Sequence, residues 1–95
     1  MKKYEAMFIV KPDMGKDELK KTEDSIGETI TKNKGKVEKC EQWGRRRLAY
    51  PIKRYMDGEY YLYEFEIEPG SISSITSSYK LNENILRVLV IAREG

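Results

Sequence analysis

The run Trp43-Gly44-Arg45-Arg46-Arg47-Leu48-Ala49-Tyr50-Pro51-Ile52 sets three guanidinium groups between two aromatic rings, on a stretch that reads as extended chain. Guanidinium forks pair with carboxylates and phosphates, and aromatic faces attract cations or stack on flat partners, so the chemistry such a segment performs is binding. From Trp43 to Met56 the charged residues are Arg45, Arg46, Arg47, Lys53 and Arg54, with no acid among them. From Asp57 to Tyr79 they are Asp57, Glu59, Glu64, Glu66 and Glu68, with no base. The formal net charge of +2 therefore conceals two opposed blocks. Segregation of this kind directs a field toward an anionic or mixed-charge partner. The plainer reading is an arginine stretch that protects a sheet edge from self-association.

Catalysis has little to stand on. The chain has no histidine and one cysteine, Cys40, which removes the common zinc sets, iron-sulfur clusters, Cys/His nucleophile pairs and disulfides. No glycine-rich phosphate loop is present. Glu64, Glu66 and Glu68 alternate along one extended run and read as solvated sheet residues, not as an acid–base pair. The expectation is a protein that is not an enzyme, with no metal, cofactor or small-molecule substrate. No apolar run approaches the ~18 residues that a membrane span needs, and no signal-peptide core follows Met1-Lys2-Lys3. A cytoplasmic chain with no membrane partner and a reduced Cys40 is expected.

The elements that must position these groups follow from periodicity. Tyr4, Ala6, Phe8 and Val10 alternate with Glu5, Met7 and Ile9, and Pro12 ends this first strand. Asp17 and Glu18 open a helix whose stripe is Leu19, Ile26 and Ile30, with Asp17–Lys21 and Glu28–Lys32 as supporting pairs and Gly35 as its C-cap. A long second strand runs through Val37 to Ile52, with a bulge at Gly44. Asp57-Gly58 supplies the turn into a third strand, where Tyr61, Tyr63, Phe65 and Ile67 oppose Tyr60, Leu62, Glu64 and Glu66. Pro69-Gly70 stops it, Ser71 caps a short helix carrying Ile72, Ile75 and Tyr79, and Asn82 to Asn84 turn into the last strand. There Leu86, Val88, Val90 and Ala92 alternate with Arg87, Leu89, Ile91 and Arg93.

The order βαββαβ with right-handed crossovers gives an α+β, ferredoxin-like fold in a single domain over residues 1–95. Its four-stranded antiparallel sheet has the order 4-1-3-2, with both helices on one face. Tyr4, Phe8, Tyr63, Phe65, Val88 and Val90 then face the helices. Met7, Ile9, Tyr60, Leu62, Leu89 and Ile91 face outward, too much apolar surface for an idle sheet face. Base stacking at the sheet centre is disfavoured, because Glu5 and Glu64 stand beside Met7, Ile9, Tyr60 and Leu62 and repel phosphates. RNA contact falls instead to edge and loop cations: Lys2, Lys3, Lys53, Arg54, Arg87 and Arg93.

The Gly44 to Ile52 stretch, Tyr4-Glu5 in the first strand, the Asp57-Gly58 pair before an aromatic strand, and Asn84-Ile85-Leu86-Arg87 before the last one occur together in order and spacing. In these features the whole chain resembles the bacterial small-subunit ribosomal protein six family. The resemblance implies a non-enzymatic component of the ribosome. It also implies a partner, ribosomal protein eighteen, with which such proteins bind the central domain of small-subunit ribosomal RNA. It places that partner near Arg46, Leu48, Tyr50, Tyr60 and Leu62. Trp43 either meets the partner or packs on the bulge. Many relatives carry a longer, often acidic C-terminal tail, whereas this sequence ends at Arg93-Glu94-Gly95, so tail contacts do not carry over. The competing classes are a small-molecule-sensing domain that dimerises through its exposed sheet face, and an acyl-phosphate hydrolase using Arg and Asn side chains. Both need a convergent polar pocket.

Overall fold

The computed structural model describes residues 1–93; the Glu94-Gly95 end lies outside the described residues. Its elements are β1 (Lys2–Val10), α1 (Lys16–Lys32), β2 (Lys36–Ile52), β3 (Tyr55–Ile67), a 3₁₀ turn at Pro69–Ser71, α2 (Ile72–Leu81) and β4 (Ile85–Ala92). The sheet runs β2-β3-β1-β4 with antiparallel neighbours, the topology that the alternation patterns imply.

Alternation decides the core. Tyr4, Ala6, Phe8 and Val10 of β1 and Tyr61, Tyr63, Phe65 and Ile67 of β3 pack with Ile26 and Ile30 of α1 and Ile75 and Tyr79 of α2. Phe8 sits at the centre, edge-on to Tyr63 (5.3 Å between centroids) and Tyr79 (4.8 Å). Such aromatic pairs add ~0.5–1.5 kcal/mol to the burial of area. Two phenols also tie the layers together: Tyr79 donates to the Ile26 carbonyl at 2.7 Å and Tyr63 to the Glu23 carbonyl at 3.2 Å.

Several local expectations are corrected. The β2–β3 turn is Lys53-Arg54, not Asp57-Gly58, because Ile52 pairs with Tyr55. Gly58 lies inside β3, where a Cβ would come within 2.4 Å of Ile9 Cγ2, so its glycine serves close approach to β1. At the end of α1 the left-handed residue is Lys34 (φ 65°), and Gly35 instead fits where a Cβ would meet Ile30 Cγ2 and the Glu66 carbonyl. The i,i+4 pair that closes on α1 is Lys20 with Asp24, 3.5 Å, rather than Asp17–Lys21 or Glu28–Lys32. Ser71 stands before α2 but makes no side-chain cap, since the preceding 3₁₀ turn already holds it in helical backbone. Val88 and Val90 pack on the helix side as expected, but Leu86 does not share their face. The β1–β4 register shifts between Ile9 and Val10, and this bulge sends Leu86 to the opposite side of the sheet.

Candidate protein and nucleic-acid interface

Gly44 sets the geometry of the basic segment. It adopts φ 86°, a left-handed value suited to glycine, and the β2–β3 register shifts between Gln42 and Gly44. Beyond this bulge, consecutive arginines take different roles. Arg45 bonds Asp13 at 2.6 Å and Asp57 at 3.1 Å, bracing the hairpin against the β1–α1 loop. These two carboxylates, Asp13 first, raise its pKa further. Arg46, opposite Gly58, lies over the Trp43 ring at 5.5 Å. Trp43 in turn donates its indole N–H to Glu41 at 3.0 Å. Glu41 also pairs with Lys39 at 2.6 Å, and hydrogen bonds from Lys39 and Trp43 hold its carboxyl below the usual range.

Past Arg47 the hairpin bends. Arg47 faces Asp57 and Ile52 faces Tyr55, so Leu48, Ala49, Tyr50 and Pro51 stand opposite Met56 alone. Pro51 has no N–H to give and is tolerated on this edge strand. The excess residues fold the outer arm onto the sheet face away from the helices. There Leu48 (6% exposed) is buried with Ile9 and Leu86, and Ile52, Tyr55 and Tyr60 pack around them. Leu48, nominated as a partner contact, is therefore the centre of a second small core, and Tyr60 is half-buried against it. Alternation puts Leu48 on this open face beside Arg46; its burial there comes from the fold of the outer arm, which the sequence pattern does not show.

What remains uncovered on this face is a hollow of about 280 Å³ lined by Met7, Ile9, Tyr60, Arg87 and Leu89. Leu89 is 58% and Ile91 50% exposed, and Leu62 is half-buried on the same side. Tyr50, also exposed, accepts a hydrogen bond from Arg87 at 2.8 Å, and this bond raises the arginine's pKa. Of the five residues nominated for the partner, Arg46 and Tyr50 are exposed and Tyr60 and Leu62 half-buried; Tyr60 lines this hollow and Tyr50 reaches it through Arg87.

The six nominated RNA cations fall into two groups. Lys2 and Lys3 begin β1, and Arg93 lies beside them, its backbone N–H bonded to the Lys3 carbonyl. Arg87 pairs opposite Ile9 at the other end of β1, the end from which the Lys53-Arg54 tip extends. Lys3 and Ile9 stand six positions apart along the strand, about 20 Å. Arg93 is paired with Glu64 and approaches Glu5 at 4.0 Å, so its charge is partly spent within the sheet. Lys2, Lys3, Lys53 and Arg54 are exposed. The roles of Arg45 as a brace and Arg87 as a neighbour of Tyr50 escape a linear reading; the one signal for the first is Gly44, whose bulge resets which arginine faces which side.

Among the described residues no group of three His, Cys, Asp or Glu side chains could hold a metal, and no helix is long and apolar enough to cross a membrane. The site consists of apolar area, guanidinium groups and the phenols of Tyr50 and Tyr60, groups that can pack, pair with anions and hydrogen-bond.

A family model described as ribosomal protein S6 matches residues 3–92. The small ribosomal subunit protein bS6 of Helicobacter hepaticus is 43% identical over all 95 residues, which correspond to 69% of that protein. The protein of the same name from Geotalea daltonii is 39% identical over 87 residues, 92% of this chain and 68% of the relative. The crystal structure of 30S ribosomal protein S6 from Thermotoga maritima superposes with a TM-score of 0.89 at 28% identity, covering 97% of this chain and 87% of the other.

Proposed function

This chain belongs to the ribosomal protein S6 family, and from that premise we propose that it binds small-subunit ribosomal RNA jointly with a second protein seated on its open sheet face. It is a structural, non-enzymatic component of the small ribosomal subunit and resides on the cytoplasmic ribosome. The RNA is the central domain of small-subunit ribosomal RNA and the second protein is ribosomal protein eighteen, as the family resemblance implies.

One observation carries this reading: the face of the sheet away from the helices keeps Leu89 and Ile91 half-exposed beside a hollow rimmed by Arg87 and Tyr60. Apolar side chains held out on rigid strands next to cations suit a protein partner, with aromatic and arginine groups as anchors. RNA contact is then left to the cations beyond that face. A chain of net charge +2 neutralises few phosphates on its own, so the partner completes the positive surface and binding is cooperative.

The test is a titration of a central-domain RNA fragment with this protein, with ribosomal protein eighteen, and with both, at matched salt. The pair is expected to bind more tightly than either protein alone, and the tagged protein is expected to sediment with small subunits. An isolated chain that binds RNA as tightly as the pair, or that leaves ribosomal protein eighteen unbound, overturns the proposal.

A further inference from the structure

Lys53 and Arg54 form the whole two-residue loop between Ile52 and Tyr55, and both have positive φ, 48° and 74°. Positive φ at both central positions is the pattern of a type I′ hairpin turn. Asn-Gly or Asp-Gly is favoured there, because a long side chain's Cβ crowds the backbone in the left-handed region. This hairpin carries two long cationic side chains instead.

Packing does not account for them. Both side chains are exposed, although the flanking Ile52 and Tyr55 pack on the open-face cluster of Ile9, Leu48 and Leu86. Internal charge pairing does not account for them either. Arg45 is bonded to Asp13 and Asp57, Lys39 to Glu41 and Arg93 to Glu64, while Arg46 lies over Trp43 and Arg87 is bonded to Tyr50. Among the described residues, Lys53 and Arg54 have no such engagement. Backbone strain at adjacent exposed residues persists where a function uses them. Arginine anchors a protein interface where neighbouring apolar or aromatic groups desolvate it; at this tip Lys53 and Arg54 are both solvent-exposed, which suits contact with a phosphate backbone.

We propose that the Lys53-Arg54 tip is an RNA phosphate contact for which the chain gives up hairpin stability, keeping cations at two positions where Asn-Gly would fold better. The contact positions the protein on RNA without reading bases. It rests on the RNA-binding reading above and adds a second anchoring point, at the opposite end of the sheet from Lys2 and Lys3.

The experiment compares the unsubstituted protein with Lys53→Asn/Arg54→Gly, each with its protein partner and the RNA fragment, over a range of salt. The double variant is expected to melt several degrees higher, as relief of a strained turn does in a small domain. It is also expected to bind RNA about tenfold more weakly, with the salt slope reduced by about 2. Arg54→Asn, which removes one charge and tolerates positive φ, is expected to give about half of the slope change. RNA affinity and slope unchanged in the double variant, or a melting temperature that does not rise, overturns the inference. So does weaker docking of the protein partner with RNA affinity intact, which would make the tip a protein contact. Failure of the unsubstituted pair to bind RNA overturns the wider reading as well, and is distinguishable because it appears before any substitution.

Discussion

The Arg87 guanidinium donates a 2.8 Å hydrogen bond to the Tyr50 hydroxyl and lies 6.0 Å from the centre of its ring, joining β4 to β2. These are the two edge strands of the sheet, with β3 and β1 between them. They meet because the four residues opposite Met56 fold the outer arm of β2 across the open face. A side chain assigned by position to the RNA and one assigned to the protein partner thus form one unit. Arg87 is held over the hollow that it shares with Met7, Ile9, Tyr60 and Leu89.

Tyr50→Phe and Arg87→Ala are expected to weaken docking of the protein partner in a coupled manner. Each single change should remove most of what the double change removes, because the phenol acts by holding the guanidinium in place. Calorimetry on the four proteins of the cycle measures this. Strictly additive effects would mean that the two residues act separately.

Two buried phenols of the core, Tyr79 and Tyr61, are expected to respond differently to loss of the hydroxyl. Tyr79 donates to the Ile26 carbonyl, and Tyr79→Phe leaves that acceptor without its side-chain donor at a cost of about 1 kcal/mol. The Tyr61 hydroxyl is buried with no hydrogen-bond partner among the described residues, so Tyr61→Phe is expected to be neutral or mildly stabilising. Burial raises the pKa of Tyr61, Tyr63 and Tyr79 above the ordinary phenol value of 10.0. Their contribution is therefore complete below that value and is lost as the pH rises past it, since only the unfolded chain releases those protons easily. Chemical denaturation at neutral and at strongly alkaline pH should show the fall in stability.

The layers of this fold were legible in the sequence because alternation in β1 and β3 is unbroken, and Gly44 announced its own bulge. Legibility failed at the hairpin. Asp57-Gly58 has the composition of a turn, yet Gly58 is there for the approach of Ile9, while the true turn uses Lys53 and Arg54, residues that carry no turn signal. Leu86 was misplaced because it is the extra residue between the Ile9–Arg87 and Val10–Ile85 pairs, which reverses the assignment made by counting in twos. Leu48 lies on the open face where counting puts it, and only its burial there was missed. The six cations were readable as cations. Their division between two ends of the sheet required the register.

On the open face, stability and docking are expected to separate by depth. Leu89→Ser with Ile91→Ser removes area already half-exposed, so the fold should lose no more than about 1 kcal/mol while partner affinity falls at least tenfold. Leu48→Ala is expected to cost about 2–4 kcal/mol through the cavity left between Ile9 and Leu86. Urea denaturation of both variants, set against partner titrations, decides the matter. A neutral Leu48→Ala would mean that the hairpin arm does not rest on the sheet.

The two ends of the sheet should contribute independently to RNA binding. Lys2 and Lys3 are exposed at the start of β1 and form no ion pair among the described residues, whereas the neighbouring Arg93 is neutralised by Glu64. Lys2→Ala with Lys3→Ala is therefore expected to reduce the salt slope of RNA binding by about 2, and Arg93→Ala to change it little. About 20 Å of strand lies between these lysines and Ile9, the end of β1 from which the hairpin extends, so the lysine and tip substitutions share no neighbours and their effects should add. Salt titrations of the pair carrying both sets of substitutions measure this. A combined slope change much smaller than the sum would mean that the RNA reaches one end of the sheet or the other, but not both.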